Sequence, residues 1–426
     1  MRVLLISANT EKINMPILPL GLACVAAATR LAGHQVAFVD LMPEEYTYGV
    51  LEEAAENFKP EVVGVSVRNI DDQNMAAPQF LLEQVREVIN KCRSLTDAPI
   101  VLGGAGYSIY PQEALAYLGA DMGIQGEGEI AFPILVEKLQ RGQDVNGTPG
   151  LYLPGGVLQT KRRYCKDLDA LPSPQDHLWS ASSSYLEDQD FWLPLQTRRG
   201  CPLNCSYCST PTIEGKIIRK RSPERVVEEI SELVATGFKR FHFVDNTFNL
   251  PYSYAADLCG RLAAAELDIA WRGIVYPWKV DEELVKWMAR AGCKEVALGF
   301  ESGSERILRA MNKRFTLDDV RTISGILGAY GIYRLGFLLL GHPGETRRTA
   351  EESLVFADSL NLELIKVTCG IRIYPYTSLA RAALAEGMLA ADDDLLQPRF
   401  YLVKGLEQWL PETVRTWMDE RPHWVS

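Results

Sequence analysis

Thr197-Arg198-Arg199-Gly200-Cys201-Pro202-Leu203-Asn204-Cys205-Ser206-Tyr207-Cys208 crowds three of the chain's nine cysteines into one short stretch. The spacing is C-x-x-x-C-x-x-C. Pro194–Arg198 has strand composition, so the cysteines are expected on a loop at the end of a strand. Thiolates are soft ligands that suit an iron–sulfur cluster or zinc. Three on one loop can hold three corners of a [4Fe–4S] cube, whereas an electron-transfer cluster uses four cysteines. No fourth cysteine lies close in sequence, which leaves one iron open to another ligand. A zinc site or unrelated thiols are the alternatives. The other six cysteines (Cys24, Cys92, Cys165, Cys259, Cys293, Cys369) are scattered and read as buried or unreactive thiols. Nine are too few for a disulfide scaffold in a chain of 426 residues.

Downstream, strand-like runs alternate with helix-like ones. Pro194–Arg198, Arg240–Val244, Ile269–Ile274, Glu295–Phe300, Arg334–Leu340 and Leu364–Tyr374 read as strands. Between them, Ser222–Thr236, Tyr252–Leu267, Asp281–Ala291, Ser304–Met311, Leu317–Tyr330 and Thr346–Ser359 read as helices. Six such units over 191–385 suit a partial (β/α)6 barrel of the TIM type, with its site at the carboxyl ends of the strands. The remainder, 386–426, carries Trp409, Trp417 and Trp424 and reads as a small helical extension.

Upstream, 1–145 alternates in the same way. Arg2–Ser7, Gln35–Asp40, Val62–Val67 and Pro99–Gly103 read as strands, and Leu20–Leu31, Gly49–Phe58 and Pro78–Cys92 as helices. This predicts a doubly wound, Rossmann-like α/β domain whose ligand sits beyond the strand ends. Those ends carry Asn9, Ser66-Val67-Arg68, Gly103-Gly104 and Gly126-Glu127-Gly128. Glycines there either make tight turns or let the backbone approach a large flat ligand. The stretch 146–190 is rich in glycine, proline and serine, including Ser180–Ser184. It reads as a linker with a hairpin at Leu151–Gln159.

The cysteine spacing, with Tyr207 before the last cysteine, resembles the signature of the radical S-adenosylmethionine (SAM) superfamily. That resemblance implies a [4Fe–4S] cluster on Cys201, Cys205 and Cys208, with SAM on the open iron. One electron then cleaves SAM to a 5′-deoxyadenosyl radical. Further segments resemble the family's strand-end motifs. They imply SAM contacts from Tyr207, Asp245 and Asn246, from Glu301 and Ser302, from Gly341 and His342, and from Tyr374 and Pro375. At two places the chain departs from common patterns: it has Asp245-Asn246 where many members have Gly-Gly-Glu, and Pro375-Tyr376-Thr377 where many have Pro-Gly-Thr. The pairing with a doubly wound domain resembles the cobalamin-binding branch. It implies cobalamin contacts from Asn9, Leu20, Gly21, Ser66, Val67, Arg68, Gly103, Gly104, Gly126, Glu127 and Gly128. The Asp-x-His-x-x-Gly motif for a lower-face histidine is absent, and His34 reads as a turn residue. No catalytic side chain is assigned beyond the weak candidates His342 and Tyr374. His242 lies mid-strand and points either inward or outward.

The resemblance implies a cobalamin-dependent methyltransferase acting on an unactivated carbon or phosphorus of a small molecule or lipid. Alternatives are a radical cyclase, ring-contracting, oxidising or carbon–carbon coupling enzyme, and a non-catalytic cobalamin or redox sensor. An electron donor such as ferredoxin or flavodoxin is implied as partner. Net charge is −11, which argues against broad nucleic-acid binding. Arg198–Arg199 and Arg219–Arg221 nevertheless leave room for a local basic groove. No run approaches the roughly 20 apolar residues of a membrane span. Met1–Ser7 is too short for a signal peptide, which points to the cytoplasm.

Overall fold

The computed structural model describes residues 1–10, 18–42, 49–156, 158–174 and 191–426. The N-terminal sheet contains β1 (Arg2–Ser7), β2 (Gln35–Asp40), β3 (Val62–Ser66), β4 (Ile100–Gly103), β5 (Met122–Ile124) and β6 (Leu151–Tyr152), in the order β2-β1-β3-β4-β5-β6. The first five are parallel and β6 is an antiparallel edge. Val3, Leu4, Leu5 and Ile6 are all buried because helices cover both faces of the sheet. The chain reverses direction across the sheet between β1 and β3, and at such a switch point the strand ends open a crevice. The expected hairpin begins at β6 and closes through a bridge from Tyr152 to Leu158. Its first strand belongs to the N-terminal sheet. Ser180–Ser184 lies outside the described residues.

The second sheet begins at β7 (Leu193–Leu195). The chain then leaves it, and β8 (Arg198–Arg199) pairs antiparallel with β9 (Arg219–Lys220), forming a ribbon that encloses the cysteine loop. The barrel continues through β10 (Arg240–Phe243), β11 (Ala270–Val275), β12 (Cys293–Glu301), β13 (Tyr333–Leu340) and β14 (Leu364–Cys369), all parallel. In β12, Val296, Leu298 and Phe300 are fully buried in the core packed with the outer helices. The alternate residues, including Glu301, therefore face the barrel interior.

Two expectations need correction. Leu364–Tyr374 is not one strand. Gly370, at φ +81°, breaks it, and a Cβ there would sit 2.2 Å from Met75 Sδ of the N-terminal domain. The chain turns off into β15 (Ile371–Arg372), which pairs antiparallel with β16 (Phe400–Tyr401). The C-terminal extension is not wholly helical either. Trp409–Asp419 is a helix, but β17 (Trp424–Val425) adds a seventh parallel strand beside β14. Burial of Trp424 under Trp417 explains why the chain end joins the sheet. No described helix is long and apolar enough to cross a membrane.

The two units share a core: Ile307, Met311, Ile371 and Leu379 pack with the N-terminal sheet's residues. A buried ion pair crosses the seam. Arg372 Nε donates to Asp71 Oδ2 at 2.7 Å, and its remaining nitrogens donate to the carbonyls of Ile373, Leu395 and Leu396. Removing one partner strands a buried charge, which costs about 3–5 kcal/mol. Asp71→Ala is therefore expected to lower unfolding free energy by about that amount in urea titration, and a change below 1 kcal/mol would show the pair to be idle.

Candidate active site

The cysteine loop is held from three sides. Ser206 N donates to Met311 O (3.1 Å), and Ser206 O accepts from Leu379 N (2.9 Å). Ser206 Oγ meets His342 Nε2 at 2.8 Å, while His342 Nδ1 lies 3.0 Å from Pro343 O. A carbonyl only accepts, so Nδ1 carries the proton and Nε2 accepts from the serine. Burial lowers the imidazole's pKa and keeps it neutral. Asn312 Nδ2 adds a bond to Asn204 O (2.7 Å). His342, named above as a catalytic candidate and a SAM contact, thus braces the loop.

Burial pushes the Cys201 thiol up to about 11, and Cys208 and Cys205 push in the same direction. The three sulfurs are near enough to feel one another. Yet among the described residues no three cysteine, histidine or carboxylate groups converge as ligands of one metal ion. Three soft donors on one loop suit three corners of an iron–sulfur cube.

Asp245 and Ser302 do not face the space beside the loop. Asp245 is buried, and its oxygens accept from Thr197 N (2.7 Å), Thr197 Oγ1 (2.6 Å), Arg198 N (2.8 Å) and the Arg198 guanidinium (2.9 Å). With those donors in place, no oxygen is left for a SAM ammonium. Ser302 is fully buried and bonds to Ser353 Oγ (3.0 Å) and Ser304 N, so it braces the helix Arg347–Ser359. Both were expected as SAM contacts, and both build the frame instead.

The other expected SAM residues gather round the cysteines. Asn246 Nδ2 donates to Glu214 Oε2 (2.6 Å), which also accepts from Gly200 N (2.9 Å) next to Cys201. Glu301 stands at φ +65° at a register shift between β12 and β13. A non-glycine residue in that region is strained, and such strain clusters at functional sites. Its carboxylate is held by Lys313 Nζ (3.3 Å), which also donates to Tyr207 Oη (2.9 Å) and lies over the Tyr207 ring. Lys313, Glu214 and Ser206 were missed from sequence. Lys313 lies in the segment after Glu301, but nothing in sequence marks it as buried. Tyr374 lies close enough to Cys208 for its charge to be felt, with Pro375 half-buried beside it. Tyr376 adopts φ +64°, a left-handed conformation that favours glycine. Gly341, at φ +105°, donates its N–H to Glu345 Oε2.

A cavity of about 330 Å³ opens beyond β1, β3, β4 and β5. Asn9, Leu20, Gly21, Ser66, Arg68, Gly103, Gly104, Gly126, Glu127 and Gly128 all line it. Val67 does not: it is buried, and its carbonyl accepts from Gly106 N. The opposite wall is the root of the cysteine loop, through Gln196, Arg199, Glu214 and Val244. Gly104 and Gly126 have positive φ, so the turn itself explains them. At Gly21 and Gly103 neither φ nor packing demands glycine, since among the described residues a Cβ would meet no atom closer than 4.0 Å. Those two keep the wall open. Among the described residues Asn9 Nδ2 is buried without an acceptor, which leaves a donor for a ligand in the cavity. The wall thus fits a large ligand with carbonyl groups.

The arginines that left room for a basic groove are paired with carboxylates. Arg198 pairs with Asp245, Arg199 with Glu129 and Glu127, Arg219 with Glu127, and Arg221 with Glu229. His242 alternates with buried Phe241 and Phe243 and so faces inward, opposite Arg272. Burial first, then Arg272 and Arg68, pull its pKa down to about 3, which keeps it neutral.

Two family models match: the radical SAM superfamily over residues 195–357 and the B12 binding domain over 6–136. An uncharacterized methyltransferase of Pyrococcus horikoshii is 30% identical over 403 residues, covering 91% of this chain and 84% of that protein. The tryptophan 2-C-methyltransferase of Streptomyces laurentii is 24% identical, covering 89% and 74%. Among solved structures, the radical SAM methyltransferase TsrM of Kitasatospora setae, with cobalamin and a [4Fe–4S] cluster bound, superposes with TM-score 0.79. It is 26% identical over 90% of this chain and 75% of that one.

Two outcomes follow from the bracing contacts. Ser206→Ala leaves His342 Nε2 buried and unpaired, so stability is expected to fall by about 1–3 kcal/mol, with lower iron content after reconstitution. Burial pushes the Glu345 carboxyl up to about 7, against lowering contributions from Gly341 N–H, His342 and Arg306. A raised carboxyl stabilises fully below its unfolded value near 4.5, and that contribution is lost as pH rises through 7. The shift corresponds to roughly 3 kcal/mol. Glu345→Gln is expected to flatten the decline in stability between pH 4.5 and 7, measured by chemical denaturation beside the wild type.

Proposed function

This chain belongs to the cobalamin-binding radical SAM family, and on that premise we propose that it methylates an unactivated carbon or phosphorus centre of a small molecule. One observation carries the reading. The root of the three-cysteine loop and the open, glycine-walled ends of β1, β3, β4 and β5 form opposite walls of one cavity.

In this reading Cys201, Cys205 and Cys208 hold a [4Fe–4S] cluster, and Ser206 fixes the loop that carries them. Glu301, steadied by Lys313, presents its carboxylate to the ribose of SAM. Asn246 and Glu214 offer polar groups beside Cys201, and Tyr374 closes the side next to Cys208. Asn9 donates to an amide of cobalamin, while Gly21 and Gly103 admit its ring. The cluster with SAM, held there, would supply radical chemistry, and cobalamin would supply a methyl group. The buried core around the loop limits access of water, which protects reactive species. A carrier protein such as ferredoxin or flavodoxin would serve as the electron donor. The described cysteines are all free, which suits a reducing compartment, and we place the protein in the cytoplasm.

The test is anaerobic incubation of reconstituted protein with cobalamin, reductant and SAM labelled on its methyl group. Wild type is expected to form 5′-deoxyadenosine and to place label in the product. Cys205→Ala is expected to lose both. Deoxyadenosine without label in product would point to a cyclising, oxidising or coupling reaction instead. Neither product from wild type would refute the reading.

A further inference from the structure

The cluster needs an electron from outside, and the surface beside the cysteine loop has the charge to collect its carrier. The chain is acidic, with net charge −11. Nevertheless Lys161, Arg163, Lys166, Lys216 and Lys220 are all exposed. None of the five has a carboxylate partner among the described residues. Lys220 only reaches over the Tyr254 ring at 5.5 Å. The segments that carry them are stitched together. Arg219 lies over the Tyr164 ring at 4.8 Å and donates to Cys165 O (2.9 Å), and Gly215 packs against the same tyrosine. The two carboxylates of this stretch are engaged with backbone: Asp167 accepts from Asp169 N, and Asp169 from Ser222 N. Between Lys216 and Lys220, Ile217 is 78% exposed. The five cations outnumber the two exposed carboxylates, and an apolar centre with an excess of one charge at its rim has the anatomy of a steered, transient interface.

The face also adjoins the cluster's anchor. Gly215 O accepts from Cys201 N at 3.1 Å. A Cβ on Gly200 would sit 2.2 Å from Ile217 O, so the Lys216–Ile217 turn lies directly against the loop.

We propose that this cationic face around Ile217 docks a small acidic flavodoxin, which passes one electron to the cluster at Cys201. The carrier's reduced flavin is oxidised by one electron and the cluster is reduced by one, with no bond made or broken. The proposal rests on the cluster reading above and adds the place of delivery.

The experiment compares reconstituted wild type with the Lys166→Glu/Lys216→Glu double variant, neither residue being part of the cofactor sites. Oxidised flavodoxin is titrated into each holoprotein at low and high salt, a binding readout independent of turnover. Wild type is expected to bind, and to weaken steeply as salt rises. The variant is expected to bind about tenfold more weakly at low salt. Reduction of the cluster by flavodoxin hydroquinone should slow in parallel, while reduction by methyl viologen radical, a cation, should not. Equal flavodoxin binding by both proteins overturns the proposal, as does a wild type that ignores flavodoxin but binds unspecific RNA. A wild type that assembles no iron–sulfur cluster on reconstitution overturns the cluster reading, and this proposal with it.

Discussion

Ser206 is where the structure converges. Its N–H, carbonyl and hydroxyl reach three separate segments: Met311 after β12, Leu379 after the β15 turn, and His342 after β13. A loop of twelve or so residues ordinarily has many conformations, and each residue fixed costs about 1–2 kcal/mol of backbone entropy. Three bonds at one residue, directly beside Cys205, remove that freedom where the sulfurs must be placed. The barrel therefore acts on the cysteine loop through its strand ends, and the strand ends are in register only because the sheet is parallel throughout.

A second set of constraints fixes how the two units meet. Arg199 and Arg219, from the ribbon around the loop, pair with Glu127 and Glu129 at the end of β5. Arg372 pairs with Asp71 where β15 meets the N-terminal unit. These charges are largely withdrawn from water, so their value lies in orientation more than in net stability. They bring a wall made of glycine and an unpaired Asn9 amide opposite the root of the cysteine loop. A cavity between two rigid units needs that alignment before any ligand can bridge it.

The strands and helices were legible because their patterns are local: β1, β2, the helix Leu20–Leu31 and the helix Gly49–Phe58 were read with the bounds the structure has. The cysteine loop was legible because its spacing is unusual. What sequence could not give was direction. Asp245 and Ser302 sit at the strand ends where the motifs place them, yet both turn into the frame, since Thr197–Arg198 and Ser353 offer buried donors that must be met. Lys313 and Glu214 went unnoticed because long-range burial, not spacing, makes them part of the site. The paired arginines misled for the same reason: their carboxylate partners lie far away in sequence. Gly370 gave no local sign that Met75 would press on it.

The central claim is that three thiols hold a cube and leave one iron open. Electron paramagnetic resonance of the anaerobically reconstituted, reduced protein addresses it directly. The account predicts a [4Fe–4S]⁺ signal whose g-values shift when SAM is added, because SAM binds the open iron. A reduced cluster whose spectrum is the same with and without SAM, or protein that assembles no cluster at all, would contradict it.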